Sequence, residues 1–194
     1  HVIPSHGFRV LSRLERIVQS GVPVDFLGGN HDYWVGGFLK NRLGIETHLH
    51  PIDVECQERR LFLAHGDGLA PGDLGYRVLR RIFRNPLAIG IYRWIHPDVG
   101  IPLATSSSQL SRGVTDSNPV IAGKLWKSIA KPQFERGRDA VLIGHFHRPI
   151  HVRSNGLDFI INGDWFRSWS YSVLENGVLE LRLWEGGPVP PQNI

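Results

Sequence analysis

The stretch Ala140-Val141-Leu142-Ile143-Gly144-His145-Phe146-His147 runs four apolar residues directly into a turn that carries two histidines. The apolar run has the length of a buried strand, so the histidines lie on the loop that ends it. Two other strand-like runs end in the same way. Val22 to Leu27 leads into Gly28-Gly29-Asn30-His31-Asp32, and Arg60 to Ala64 leads into His65-Gly66-Asp67-Gly68. Glycines let the backbone turn sharply at these junctions and bring polar side chains together. In α/β folds, polar loops at the carboxyl ends of strands build the site.

The segments around these loops alternate in type. Phe8, Leu11, Leu14, Ile17 and Val18 recur at helical spacing before Gly21, which predicts an amphipathic helix over residues 6–20. A short helix is expected over 35–43, ended by Gly44, then strands at 51–55 and 60–64. Asp73 can cap a helix over 74–84, which Pro86 breaks before a second apolar segment running to Ile95. Residues 96–118 read as a loop or broken helices, and Asn118-Pro119 starts a helix through about Ala130. Asn155-Gly156 and Asn176-Gly177 are hairpin turns, and residues 186–191 read as disordered or extended. Helices early and antiparallel strands late give an α/β layered fold.

With 194 residues, 41% of them hydrophobic, the chain has material for one globular domain, 1–194, with a helical insertion at about 74–131. No apolar stretch reaches the ~20 residues of a membrane-spanning helix, and no secretory signal pattern opens the sequence. A soluble, cytoplasmic protein is expected. The single cysteine, Cys56, precludes an internal disulfide, and the net charge of +4 favours anionic partners without choosing among them. The sequence contains no Met and opens on His1, as expected of part of a longer polypeptide.

Imidazole, carboxylate and amide oxygen are metal ligands, and ligands on neighbouring strand-end loops can converge. Asn30, His65, His145 and His147 are four such groups from three loops, whereas His48, His50 and His151 read as ordinary hydrogen-bonded residues. Asp32 fits either a turn residue or a partner that orients His31. Between the blocks, Arg77, Arg80, Arg81, Arg84 and Arg93 interleave with Val78, Leu79, Ile82, Phe83, Leu87, Ile91 and Trp94. That pattern suits a helix packed on the core with a solvated basic face. It also suits a surface for an acylated, anionic substrate or a membrane interface.

The loops resemble the calcineurin-like metallophosphoesterase family, whose pattern is Asp-x-His, Gly-Asp, Gly-Asn-His-Asp or Glu, a His, and Gly-His-x-His. The last three blocks are present as Gly29-Asn30-His31-Asp32, His65 and Gly144-His145-Phe146-His147, while no Asp-x-His precedes Asn30. Within that family, VIPSHGFRVL (2–11), GNHDYWVGGFL (29–39), LAHGDGLAPGDLGYRVLRRIFRNP (63–86), HPDVGIPLA (96–104) and NGDW (162–165) are similar to the UDP-2,3-diacylglucosamine hydrolases of Gram-negative bacteria. The resemblance implies a layered metallophosphoesterase sandwich with its first strand, helix and second strand missing from this chain.

It further implies two divalent metal ions, manganese first with iron or zinc as alternatives. Asn30, His65 and His145 would hold one, and His147 the other, with the remaining ligands in the absent segment. His31 would lie by the phosphate with Asp32 orienting it. Arg80, Ser111 and Arg112 would contact substrate, and Asp67 and Asp164 would be structural loop residues. The implied reaction splits the pyrophosphate of UDP-2,3-diacylglucosamine in lipid A biosynthesis, on the inner face of the bacterial inner membrane. Two alternatives are another metallophosphodiesterase acting on nucleotides and a non-catalytic metallophosphoesterase-like scaffold. Nucleic acid is not an expected partner, because the basic charge permits it but the apolar residues of the insertion are not explained by it.

Overall fold

The computed structural model describes residues 7–32, 35–69, 81, 85–92, 94–95, 99–100 and 120–192. Arg80, Phe83, Ser111 and Arg112 lie outside the described residues, as does most of the helix expected over 74–84. The chain divides into two compact units, 1–50 with 78–114 and 51–77 with 115–194.

In the first unit, helix α1 (Phe8–Gln19) matches the expected helix. Leu11, Leu14 and Val18 pack on the buried Leu39, Leu43 and Ile45, which the three-four spacing of a helix stripe dictates. Strand β1 (Asp25–Leu27) is shorter than the apolar run because Pro23 has no N–H to give to a ladder. Helix α2 (Phe38–Leu43) begins later than Val35 because Gly36 is left-handed, with φ +59°. Gly44, at φ +70°, caps it and donates its N–H to the Lys40 carbonyl at 3.1 Å. Strand β2 (Glu46–His48) pairs parallel to β1 and was not expected, since three residues carry no readable alternation. His48 Nε2 meets Asp25 Oδ1 across this pair at 2.6 Å, the ordinary partner expected of it. Helix α3 (Pro86–Tyr92) continues the segment that Pro86 opens.

The second unit is layered. Strands β3 (Ile52–Cys56), β4 (Arg59–Ala64), β5 (Ala140–Ile143), β6 (Ile150–Ser154) and β7 (Leu157–Ile161) form one sheet in the order β3-β4-β5-β7-β6. The β4-β5 and β5-β7 pairs are parallel, and the outer two are antiparallel. Strand β5 is buried along its whole length, so its unbroken apolar run reflects cover on both faces. On one face Phe62, Ala64, Val141, Ile143, Phe159 and Ile161 pack against Leu125, Ile129 and Ala130 of the helical stretch 120–134. On the other, Leu61, Ala140, Leu142 and Ile160 pack against Leu179 and Leu181. Those two belong to a three-stranded sheet of β8 (Ser170–Glu175), β9 (Val178–Leu183) and β10 (Gly187–Pro188). The period-two alternation of β4, β5 and β7 thus divides their side chains between two cores.

The helical stretch widens to a π turn at Trp126–Ala130, just before Pro132, whose missing N–H breaks the regular ladder. Both Asn-Gly turns are as expected, with Asn155 and Gly156 at φ +51° and +78°, and Asn176 and Gly177 at +51° and +74°. Gln57 and Glu58 make a third turn of this kind without glycine. The Gln57 side chain secures it against the β8-β9 hairpin, donating to the Leu174 carbonyl at 3.1 Å and accepting the Gly177 N–H at 2.8 Å. The 186–191 tail is extended rather than disordered. Val189 donates to the Leu181 carbonyl, and Gln192 exchanges backbone hydrogen bonds with β6 at His151 and Arg153.

The two sheets are tied by a buried charge cluster at the end opposite the polar loops. Asp158 is fully buried and accepts from His151 Nε2 at 2.7 Å, Arg153 Nε at 2.7 Å and Arg59 Nη2 at 2.9 Å. The same arginines reach the other sheet, Arg153 at the Leu179 carbonyl and Arg59 at the Gly177 carbonyl. Burial pushes the Asp158 carboxyl up, but its donors outweigh burial and hold it below the ordinary value. His151 is therefore a buried structural histidine. Among the described residues, no helix is long and apolar enough to cross a membrane.

Candidate metal centre

Parallel pairing of β4 with β5 places Ala64 beside Ile143, so the loops that follow them emerge together. The Gly144 N–H donates to the His65 carbonyl at 2.9 Å and closes the two loops on each other. Gly66, at φ +109°, makes the approach possible. A Cβ there would lie 3.3 Å from the His145 Cβ, in a conformation other residues rarely adopt. The outcome is a pair of imidazoles, His65 and His145, with ring centroids 5.2 Å apart and planes near perpendicular at 70°.

His145 and His147 both have left-handed backbones, at φ +69° and +51°. Two such histidines in three residues is an unusual concentration, and backbone strain of this kind gathers where side chains must be aimed for function. Phe146 between them packs toward the sheet core and anchors the loop. The β7 end adds a third loop, since the Asn162 N–H donates to the Ile143 carbonyl at 2.7 Å. Two residues on, Asp164 Oδ2 stands 3.4 Å from His147 Nδ1.

Asp164 is the structural loop residue that was expected. Its Oδ1 accepts the backbone N–H groups of Phe166, Arg167 and Ser168, and its own N–H donates to Ser168 Oγ. Burial pushes its carboxyl up, yet these donors hold it below the ordinary value, so it stays anionic beside His147. Its second role was not legible, because nothing in the spacing of 147 and 164 announces the contact. Gly163 is required here, since any Cβ would collide with Ser168 Oγ and Ser170 Oγ. Asp67 is also buried.

The loop after β1 belongs to the first unit. Gly28 donates to the His48 carbonyl at 2.8 Å, and Asn30 Nδ2 lies 3.2 Å from His31 Nε2. Asp32 Oδ2 accepts the Gly29 N–H at 2.9 Å, which is the turn-forming role weighed for it.

The second unit therefore brings His65 to His145, and His147 to Asp164. Among the described residues, no three His, Cys, Asp or Glu side chains form a group that could hold an ion. The chemistry of the two pairs fits the implied metals as partial sets. Imidazole nitrogen suits manganese, iron and zinc, and a carboxylate beside a histidine is the usual outer support of such a ligand.

No family model matches the chain. It is 28% identical over 204 residues to the UDP-2,3-diacylglucosamine hydrolase of Porphyromonas gingivalis, covering 95% of this chain and 78% of that protein. It is 30% identical over 174 residues to the UDP-2,3-diacylglucosamine hydrolase of Pseudomonas putida, with 87% and 72% covered. The hydrolase of the same name from Stutzerimonas stutzeri is 31% identical over 176 residues, with 84% and 71% covered. Among solved structures, the chain is similar to a Thermotoga maritima protein determined in solution by NMR. The identity there is 19% and the TM-score 0.40, over 90% of this chain and 71% of that one.

Proposed function

Because this chain belongs to the UDP-2,3-diacylglucosamine hydrolase family of metallophosphoesterases, we propose that it hydrolyses the pyrophosphate of UDP-2,3-diacylglucosamine to UMP and 2,3-diacylglucosamine 1-phosphate. The observation that carries the reading is the His65 and His145 pair at adjacent parallel strand ends, with His145 and His147 both held left-handed. Asn30, His65 and His145 would hold one divalent ion and His147 the other, manganese before iron or zinc. Such ions, when bound, neutralise phosphate charge and supply hydroxide near neutral pH.

The chain's own residues supply the rest. Asp164 keeps a negative charge beside His147 and would orient that imidazole as a ligand. His31, exposed at the tip of its loop, would stabilise charge developing on phosphate oxygens or protonate the leaving oxygen. Asp32, bonded to the Gly29 N–H, fixes the turn that presents it. Arg80, Ser111 and Arg112 would grip the anionic head group, and the apolar residues around them would cover acyl chains at the inner membrane face. Leu87, Ile91 and Trp94, 75%, 68% and 92% exposed, are free in this unit to take such a role.

The test is UMP release from the lipid nucleotide with added manganese, run beside a small chromogenic phosphodiester. His65→Ala and His145→Ala should abolish both reactions. Arg80→Ala or Arg112→Ala should slow the lipid nucleotide alone, and equal loss on both substrates would overturn the assignment of those arginines.

A further inference from the structure

Asp164 organises a second feature on its other side. The loop it caps carries Trp165, Phe166 and Trp169, and the β9 end brings Trp184 next to them. Trp165 lies 5.8 Å from Trp169 and 5.9 Å from Trp184, and Trp184 lies 6.2 Å from Tyr171. The rings meet at 78°, 53° and 61°, so none is stacked face to face on another. Trp165, Trp169 and Trp184 are 52%, 50% and 63% exposed, and with Ser168 and Glu185 they line an open cleft of about 660 Å³. That is the size range of small-ligand sites. Trp169 is itself left-handed, at φ +48°, and its carbonyl is locked by the Trp184 N–H at 2.8 Å. A bulky aromatic held in that conformation is strained, and the strain serves to present an indole that contributes little to either core.

We propose that this cleft binds the pyrimidine ring of the nucleotide substrate by stacking, beside the phosphate-handling loop of His147. The inference rests on the hydrolase reading and adds to it the residues that select a nucleotide. Three features favour a base over an acyl chain. The exposed indole faces offer platforms to a flat guest. The rim carboxylate of Glu185 can accept a ring N–H, whereas an aliphatic chain would strip it of water with no replacement. Trp165 directly follows Asp164, whose carboxylate faces His147, so a base in the cleft keeps its phosphates near that histidine.

The test titrates the chain with UMP and with ribose 5-phosphate, which lacks the base, following tryptophan fluorescence and heat of binding. UMP should bind more tightly than ribose 5-phosphate. Trp184→Ala should weaken UMP by about tenfold, the scale of one base-aromatic stack, and leave ribose 5-phosphate unchanged. Trp184→Phe should restore most of the affinity, which separates stacking from misfolding. Equal binding of the two ligands by the parent chain would overturn the inference, as would UMP binding unchanged in Trp184→Ala. Loss of binding to phosphatidylglycerol vesicles in that variant, with UMP affinity intact, would overturn it in favour of a membrane contact. If UMP binds with the expected Trp184 dependence but the lipid nucleotide is not cleaved, the base site stands and the hydrolase reading falls.

Discussion

His145 and His147 hold backbone conformations that cost an L-residue about 1–2 kcal/mol each, a cost that glycine escapes. If the loop exists to aim two imidazoles, removing them should not harm the fold. We expect His145→Gly and His147→Gly to change unfolding free energy by less than about 1 kcal/mol, relief of strain being offset by a more flexible unfolded chain. UMP release should nevertheless fall by at least ~100-fold, the upper end of what even an outer partner of a metal ligand costs. Urea titration beside the activity assay checks both. Gly66 behaves oppositely. Gly66→Ala puts a Cβ 3.3 Å from that of His145 at φ +109°, and should destabilise the chain by about 1–3 kcal/mol while shifting the imidazole. Full stability in that variant would contradict the tight approach of the two loops.

At the level of elements, the sequence was most legible where one local signal sufficed. The buried run of β5, the two Asn-Gly hairpins and the stripe of α1 were found where the pattern placed them. Strand β2 escaped because three residues show no period, and α2 starts late because a left-handed glycine overrides the apolar spacing before it. The histidine loops could be read as strand ends, yet the partner Asp164 and the tryptophan cleft could not, since topology rather than spacing assembles them. The Asp158 cluster was hidden for the same reason, its four members coming from β4, β6 and β7. Asp158→Asn leaves Arg59 and Arg153 without a buried counter-charge and should cost about 3–5 kcal/mol. A loss below about 1 kcal/mol by denaturant titration would show that the cluster does not tie the sheets.

For the whole molecule, that cluster also sets the response to acid. The Asp158 carboxyl is depressed on folding, so its contribution is fully present above the unfolded value of about 3.9 and is lost as pH falls through the folded value. Asp53, held low first by its hydrogen bonds from Arg138, has the same sign, but its exposed side chain makes the pair worth little. The urea midpoint should therefore drop as pH falls below about 5, and Asp158→Asn should flatten that drop. The reach of Arg59 and Gln57 to Gly177 bears on synthesis. The partners are 118 and 120 residues apart, so at roughly 5–20 residues per second a ribosome needs about ten seconds to make the second after the first. Through that interval Leu61 and Leu63 of β4 wait without Leu179 and Leu181 to cover them. Vectorial, domain-by-domain folding is closed to this unit. The nascent chain should accordingly be a client of ribosome-associated chaperones, and its soluble yield should rise when such a chaperone is supplied in excess.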